Sequence, residues 1–344
     1  MNKEEIKKYD TKNVFDSIDL FPNQCLDSWE NTDYKANDEK IKNILVIGMG
    51  GSALGAHIIE SLNILNVPIT ICHNYHIPKW VNNETLVITV SYSGGTEETI
   101  SGVEEAINHK AVVVGITTGG ALAEILDKKN VPVCIISRKD NPCEQPRFGV
   151  GLMMMSMLKI FVAHNLCTLS LNEIANGINE LADWQNKKSE IVLGEIYERV
   201  KLVEDNIIVL IYSKHLANVG MFTRNQIHET SKTLALTDEI PELNHHLMEG
   251  LSFPEENKKL LHFIFLESDL YGDKIKKRYK ITKSVLEKQG IKYDSVNIEG
   301  ETPFSQVLIA MLRGMYFAFA LSFVHQKDPS EIPWVNYFKE QLGK

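Results

Sequence analysis

Two loops rich in glycine and hydroxyl residues are the segments best suited to bind an anion. Residues 48–55 and residues 91–99 each follow a short apolar run and precede a helical pattern. Glycines let backbone N–H groups turn toward an anion, and the N-terminus of a helix adds partial positive charge. Hydroxyl groups donate further hydrogen bonds to phosphate oxygens. The loops therefore predict a phosphate site, with Gly50 close to the substrate and with these candidate phosphate residues: Gly51, Ser52, Ser91, Ser93 and Thr96.

Other interpretations of these loops are less well supported by the residues. The first loop fits the G-x-G-x-x-A fingerprint of dinucleotide sites, but that site needs an acidic residue after the second strand, where the chain has Cys72-His73-Asn74. The second loop has no lysine after its glycines, so it is not the loop of nucleoside triphosphatases. A phosphorylated small molecule fits better, while a purely structural glycine turn stays open for the first loop.

Strand-like apolar runs alternate with helical patterns in two parts of the chain. The runs are 44–48, 69–72, 86–90, 111–116 and 131–136, and then 207–212, 261–267 and 293–298. This alternation predicts right-handed βαβ crossovers and a parallel sheet in each part. The predicted domains are a helical extension at 1–40, an α/β domain at 41–147, a helical connector at 148–204, a second α/β domain at 205–303 and closing helices at 304–344.

Composition narrows the function classes. The chain of 344 residues has 36 Lys+Arg against 45 Asp+Glu, a net charge of −9, which disfavours nucleic-acid binding. The apolar stretch at 307–324 contains Arg313 and predicts a buried amphipathic helix rather than a membrane span. The first ten residues lack an apolar run, which predicts a cytoplasmic protein. The scattered cysteines, and His73 and His76 without further ligands nearby, predict neither a metal site nor another cofactor.

The two loops, in this order, resemble the sugar isomerase (SIS) domain superfamily, and further segments resemble its bifunctional phosphoglucose/phosphomannose isomerase branch. The resemblance spans roughly residues 44–340. It implies an α/β fold of two tandem SIS domains with flavodoxin-like parallel sheets, joined by a helical connector and closed by C-terminal helices. Four positions depart from the branch's usual pattern: Ala121, His228, His246 and Ser330. The matching segments are Thr117-Thr118-Gly119-Gly120, Pro146-Arg147, His228-Glu229-Thr230-Ser231-Lys232, Pro241-Glu242-Leu243-Asn244-His245, and Asp328-Pro329-Ser330 with Lys339.

The resemblance implies an aldose–ketose isomerase that interconverts glucose 6-phosphate, and also mannose 6-phosphate, with fructose 6-phosphate. It implies that Glu229 moves the proton between C1 and C2, and that His245 opens the sugar ring. Arg147 would stabilise the enediol(ate) intermediate, a role that suits a permanent positive charge. Lys339 would complete the site near the ring oxygen, and Ser330 would border the C2 hydroxyl.

The resemblance further implies a homodimer with shared active sites, because His245 would enter the site of the neighbouring subunit. The adjacent His246 stays open as a competitor for ring opening. The other function class is a non-catalytic SIS-type sensor of sugar phosphates. Such a sensor would need the phosphate loops but no base, so Glu229, His245 and Arg147 distinguish the two classes.

Overall fold

The computed structural model describes Ile6 and residues 8–343. These residues form two compact units. The first unit is Asp16–Ile178, and the second comprises the described residues up to Phe15 and from Asn179 onward. Each unit has its own sheet and its own core.

The strands of the first unit carry the glycine and hydroxyl loops at their carboxyl ends, and those of the second unit form a separate sheet. They are β1 (Asn43–Gly48), β2 (Ile69–Cys72), β3 (Thr85–Ser91), β4 (Val112–Thr117) and β5 (Val133–Ile135) in the first unit, and β6 (Ile207–Tyr212), β7 (Ala235–Glu239), β8 (Leu261–Glu267) and β9 (Lys292–Asn297) in the second.

Both sheets are parallel and share one strand order. The first sheet runs β2-β1-β3-β4-β5, and the second runs β7-β6-β8-β9. This is the flavodoxin-like order, in which the chain leaves the first strand in one direction and later returns to its other side. The prediction of two parallel α/β sheets is confirmed.

Strand β7 was missed by the sequence analysis. It lies at the edge of the second sheet, where Leu236 is exposed and the strand ends in Asp238 and Glu239. An edge strand with charged residues lacks the continuous apolar run by which central parallel strands are recognised. The strand forms by pairing in parallel with β6, which its sequence pattern alone does not predict.

Helices cover the sheets and link the units. Those within the described residues are α1 (Val14–Asp19), α2 (Phe21–Asn31), α3 (Gly51–Leu62), α4 (Glu97–Asn108), α5 (Gly120–Lys128), α6 (Val150–Ala163), α7 (Leu171–Val203), α8 (Ala217–Gln226), α9 (Leu247–Gly250), α10 (Asn257–Leu260), α11 (Asp273–Gln289), α12 (Pro303–Val324) and α13 (Pro333–Leu342).

Helix α12 is the most apolar helix of the second unit. Its length and composition would suffice to cross a membrane, but 89% of its most apolar window is buried inside the chain. Its start is fixed by a capping box, in which Ser305 N donates to Thr302 Oγ1 at 3.1 Å and Thr302 N donates to Ser305 Oγ at 3.1 Å. It is a core helix, buried on nearly every side rather than along one face.

Helix α8 lies directly against strand β6 because Gly220 has no side chain. A Cβ atom at Gly220 would lie 1.7 Å from Cδ1 of the Tyr212 ring on β6. The contact fixes the distance between helix and sheet, and α8 continues into the segment that contains Glu229.

We expect Gly220→Ala to lower the free energy of unfolding of the second unit by about 1–3 kcal/mol, because the aromatic ring must move to admit the methyl group. The matched control is Gly194→Ala in α7, where a Cβ meets no atom within 4 Å. There we expect a gain of up to about 1 kcal/mol from helix propensity. Urea titration followed by circular dichroism measures both, and equal effects would contradict the close-contact argument.

Candidate functional site

The carboxyl ends of β1, β3 and β4 are level with one another in the first sheet. Gly48 pairs with Val90, and Ser91 pairs with Thr117. The loops that follow these strands therefore start side by side. The order of the sheet reverses between β1 and β3, the place where open α/β sheets bind their ligands.

Ser52 joins the first loop to the second. Its hydroxyl is buried and accepts a hydrogen bond from Tyr92 N at 3.1 Å. The Tyr92 ring is buried beneath the loops, and its hydroxyl accepts a hydrogen bond from Asn141 Nδ2 at 2.8 Å. Burial raises the pKa of Tyr92, and the hydrogen bond from Asn141 partly offsets that effect. Tyr92 thus stays neutral and anchors the second loop.

Two of the three hydroxyls of the second loop lie within hydrogen-bonding distance of each other. Ser91 Oγ lies 2.9 Å from Thr96 Oγ1 and accepts a hydrogen bond from Gly94 N at 3.1 Å. Ser93 Oγ accepts one from Gly95 N at 3.4 Å. Thr96 precedes α4, so the loop leads into the N-terminus of a helix. The structure therefore brings the hydroxyls of Ser91 and Thr96 together, whereas that of Ser93 bonds to the backbone of its own turn.

Glycine is required where the second loop meets the loop after β4. Gly94 has a φ of +72°, and a Cβ there would lie 1.8 Å from Gly119 O. Leu122 N donates to Gly94 O at 2.8 Å, and Thr118 Oγ1 donates to Tyr92 O at 2.7 Å. The Thr-Thr-Gly-Gly segment therefore supports the second loop through these hydrogen bonds.

Arg147 lies in the 3-10 turn Pro146–Phe148, against the first loop. A Cβ at Gly51 would lie 2.9 Å from Arg147 N, so the two backbones touch. The arginine is only 2% exposed, and its Nη1 donates to Gln145 Oε1 at 3.2 Å. The turn is fixed by Gln24 Nε2, which donates to Phe148 O at 2.8 Å. A permanent charge is thereby buried beside the glycine loop.

Glu229 lies in a π turn at the end of α8. The turn, Ile227–Ser231, follows the helix directly, and Glu229 is half-buried within it. π turns are rare and occur often at functional sites. Ser231 Oγ donates back to Ile227 O at 2.7 Å, which stabilises the turn from inside.

Lys232 links the π turn to the Asp328–Ser330 segment. Its Nζ donates to Thr230 O at 2.9 Å and also to Asp328 O. The Asp328 carboxylate accepts hydrogen bonds from Ser330 N at 2.7 Å and Ser330 Oγ at 2.6 Å, and another from Thr11. Burial favours a higher pKa for Asp328, but these hydrogen bonds outweigh it and lower the pKa. Glu229 and Ser330 are therefore on linked segments of one unit.

His245 lies on a different element of the second unit. It ends the 3-10 turn Glu242–His245, and both it and His246 are exposed. Asn244 holds the turn in place, because its Nδ2 donates to Thr282 Oγ1 at 2.8 Å and its Oδ1 accepts from Arg278 at 3.2 Å. The turn is thus fixed while the imidazole faces outward.

Lys339 is exposed on α13, a helix that has no buried residue. Trp334 and Phe338 on this helix are 82% and 63% exposed. Aromatic side chains this exposed are unusual on a surface that stays in water.

The site residues thus fall into two groups. The first unit brings Arg147 next to the two loops that are rich in glycine and hydroxyl residues. The second unit links the segments of Glu229 and Ser330 but leaves His245 and Lys339 on separate exposed elements. Sequence reasoning missed Tyr92, Asn141 and Gln24, which position the first group. Tyr92 carried a signal, since a large aromatic residue inside a glycine-rich phosphate loop needs a buried place for its ring.

Comparison with known proteins bears on both units. Residues 199–342 match the family model described as the bacterial phospho-glucose isomerase C-terminal SIS domain. The second unit is therefore similar to a SIS domain of that family. It is 29% identical over 304 residues to the bifunctional phosphoglucose/phosphomannose isomerase of Thermoplasma acidophilum, covering 88% of this chain and 90% of that protein.

Two further similarities extend along nearly the whole chain. The bifunctional phosphoglucose/phosphomannose isomerase of Caldicellulosiruptor bescii is 26% identical over 340 residues, which cover 96% of this chain and 99% of that one. The solved C-terminal domain of glucosamine-fructose-6-phosphate aminotransferase from Francisella tularensis superposes with a TM-score of 0.71 at 14% identity, covering 96% of this chain and all of that one (100%). The structural match shows that the two proteins share a fold.

We expect Gly94→Ala to weaken binding of inorganic phosphate at least tenfold, because the methyl group collides with Gly119 O and the residue must keep a positive φ. Gly95→Ala is the matched control, since its Cβ meets only Ser93 Oγ, at 4.0 Å. Isothermal titration calorimetry measures both affinities. Equal losses in the two variants would contradict the assignment of the loop geometry.

Proposed function

We propose that this SIS-domain protein interconverts glucose 6-phosphate, and also mannose 6-phosphate, with fructose 6-phosphate through an enediol(ate) intermediate. The observation that carries the proposal is the near-full-length similarity to relatives named bifunctional phosphoglucose/phosphomannose isomerase. The alternative, a sugar-phosphate sensor, lacks comparable support, since these relatives are named as enzymes. The cytoplasmic location stays a prediction.

The phosphate group of the substrate is proposed to bind at the crevice between β1 and β3. Ser52 Oγ accepts from Tyr92 N, so its hydrogen can be donated to a phosphate oxygen. Ser91 and Thr96 share one hydrogen between their hydroxyls, which leaves the other for the ligand. Holding the phosphate positions C1 and C2 without taking part in the chemistry.

Glu229 is proposed as the base that carries the proton between C1 and C2. A carboxylate can take the proton from one carbon and return it to the next. The π turn and the link from Lys232 to Asp328 hold the carboxylate on a defined segment. Ser330 on the linked segment is proposed to border the C2 hydroxyl.

Arg147 is proposed to stabilise the enediolate oxygen. Its guanidinium is always protonated, and burial removes the water that would screen its charge. A charge placed before the reaction needs no reorganisation when the negative charge develops.

His245 is proposed to open the sugar ring within a homodimer, and Lys339 is proposed to complete the site near the ring oxygen. Both side chains are exposed in the single chain, as are the aromatic residues of α13. A second copy that covers these surfaces would bury apolar area and bring the partner's imidazole to a site that holds Glu229. His246 remains the competitor for this role.

We expect Glu229→Gln to lower kcat on glucose 6-phosphate by about 10²–10⁴-fold with KM nearly unchanged, because an amide is a negligible base while the phosphate loops are untouched. A coupled assay for fructose 6-phosphate formation measures both constants. Glu204→Gln, at an exposed glutamate of the same unit, is the control and should keep its rate. Near-normal turnover of Glu229→Gln would show that another group is the base.

Shared active sites predict complementation between two inactive variants. We expect Glu229→Gln and His245→Asn homodimers each to be impaired, whereas purified mixed dimers regain about half of wild-type activity, because one of their two sites receives both intact residues. The two chains are co-expressed with different affinity tags and the mixed species is assayed for fructose 6-phosphate formation. A mixed dimer no more active than its parents would place both residues in the same subunit.

A further inference from the structure

Two imidazole side chains lie end to end beside the first glycine loop. His57 belongs to α3, the helix that follows this loop, and His73 directly follows strand β2. Their Nε2 atoms are 2.9 Å apart, and the ring centroids are 5.2 Å apart with 27° between the ring planes. At this distance one of the two nitrogens donates a hydrogen bond and the other accepts it.

A contact of His73 with the backbone decides the direction of this hydrogen bond. His73 Nδ1 lies 2.9 Å from Gly48 O, and a carbonyl oxygen can only accept. A neutral imidazole that carries its hydrogen on Nδ1 has an acceptor at Nε2. His57 Nε2 is therefore the donor toward His73. The other ring nitrogen of His57, Nδ1, lies 3.6 Å from Glu60 Oε2 on the same helix.

This chain of two hydrogen bonds connects the elements on either side of the glycine loop. Gly48 ends β1, just before the loop, and His57 lies on α3, just after it. The pairing of β1 with β2 ends at Ile47 and Cys72, so His73 is the first residue beyond the last pair. Its side chain continues the connection between the two strands and extends it to α3.

The loop between these two points gains order from being held at both ends. Gly50 has a φ of +51°, and a Cβ there would meet no atom within 4 Å. Glycine in open space has more conformational freedom than any other residue. Backbone N–H groups that already have their final orientation bind an anion more tightly, because less conformational entropy is lost on binding.

We infer that His57 and His73 are positioning residues of the phosphate site, which hold Gly48 and α3 at the spacing that the glycine loop needs. The inference rests on the proposed function, because it concerns the same phosphate site. Both imidazoles act through the backbone of the loop and not by touching the substrate. Loss of one hydrogen bond of ordinary strength corresponds to a loss of affinity of about two- to twelvefold.

Nuclear magnetic resonance of the unaltered full-length protein, labelled with ¹⁵N in its histidines, tests the positions of the hydrogens. The spectra are recorded at about pH 8, where an ordinary imidazole is neutral. We expect the ¹⁵N shifts to show the hydrogen of His73 on Nδ1 and that of His57 on Nε2. A hydrogen on Nε2 of His73 would overturn the inference, whether or not any variant folds.

Two pairs of variants test the effect on the loop through the affinity for inorganic phosphate, measured by isothermal titration calorimetry. His73→Asn keeps an N–H group near the place of Nδ1, and His57→Gln keeps one near the place of Nε2, whereas His73→Leu and His57→Leu keep neither. We expect each leucine variant to bind phosphate about two- to twelvefold more weakly, and each amide variant to retain more affinity than its leucine counterpart. His109→Leu, at an exposed histidine that follows α4, is the control and should leave the affinity unchanged.

The outcomes separate this inference from the proposed activity. Leucine variants that bind phosphate as tightly as the unaltered protein would overturn the positioning role and leave the isomerase proposal in place. The expected affinities, in a protein that does not isomerise glucose 6-phosphate, would support the positioning role and overturn the proposed activity. No binding of phosphate by the unaltered protein would overturn both.

Discussion

Neighbouring parallel strands that end at the same edge of a sheet are the constraint on which the candidate site depends. The register of β1, β3 and β4 leaves an offset of no more than one residue between the loops that follow them. A single hydrogen bond, from Tyr92 N to Ser52 Oγ, then suffices to join two of these loops. The closeness of the loops also explains why Gly94 and Gly120 must lack side chains.

The two sheets share a strand order but differ in what occupies the reversal point. In the first sheet the point is lined by glycines and hydroxyls. In the second sheet, the side chain of Gln306 occupies the reversal point. Its Oε1 accepts a hydrogen bond from Ser268 Oγ at 2.6 Å and lies 2.8 Å from His215 Nε2. Burial lowers the pKa of His215, an effect that the contact with Gln306 partly offsets. The candidate base of the second unit, Glu229, therefore lies at the end of a helix and not at the reversal point of the sheet.

Much of the fold, and less of the site, could be predicted from the sequence. Central strands such as β3 are continuous apolar runs, so their positions were predictable, whereas β7 lacks that pattern. The π turn has no sequence signal, because its residues alone do not distinguish it from the end of an ordinary helix. The positioning roles of Gln24 and Asn141 depend on contacts with residues far along the chain, which no local pattern records.

The π turn at Glu229 limits the changes of chain length that this segment can accept without moving its side chains. Each π turn holds one residue more than an α turn, and each residue of an α-helix advances the chain by about 100°. Deleting one residue between Ile227 and Ser231 would restore a regular helix but swing the following side chains round by roughly that angle. A one-residue insertion or deletion in this five-residue turn would thus displace the residues after it, whereas a substitution on the exposed face of α8 would leave the backbone in place.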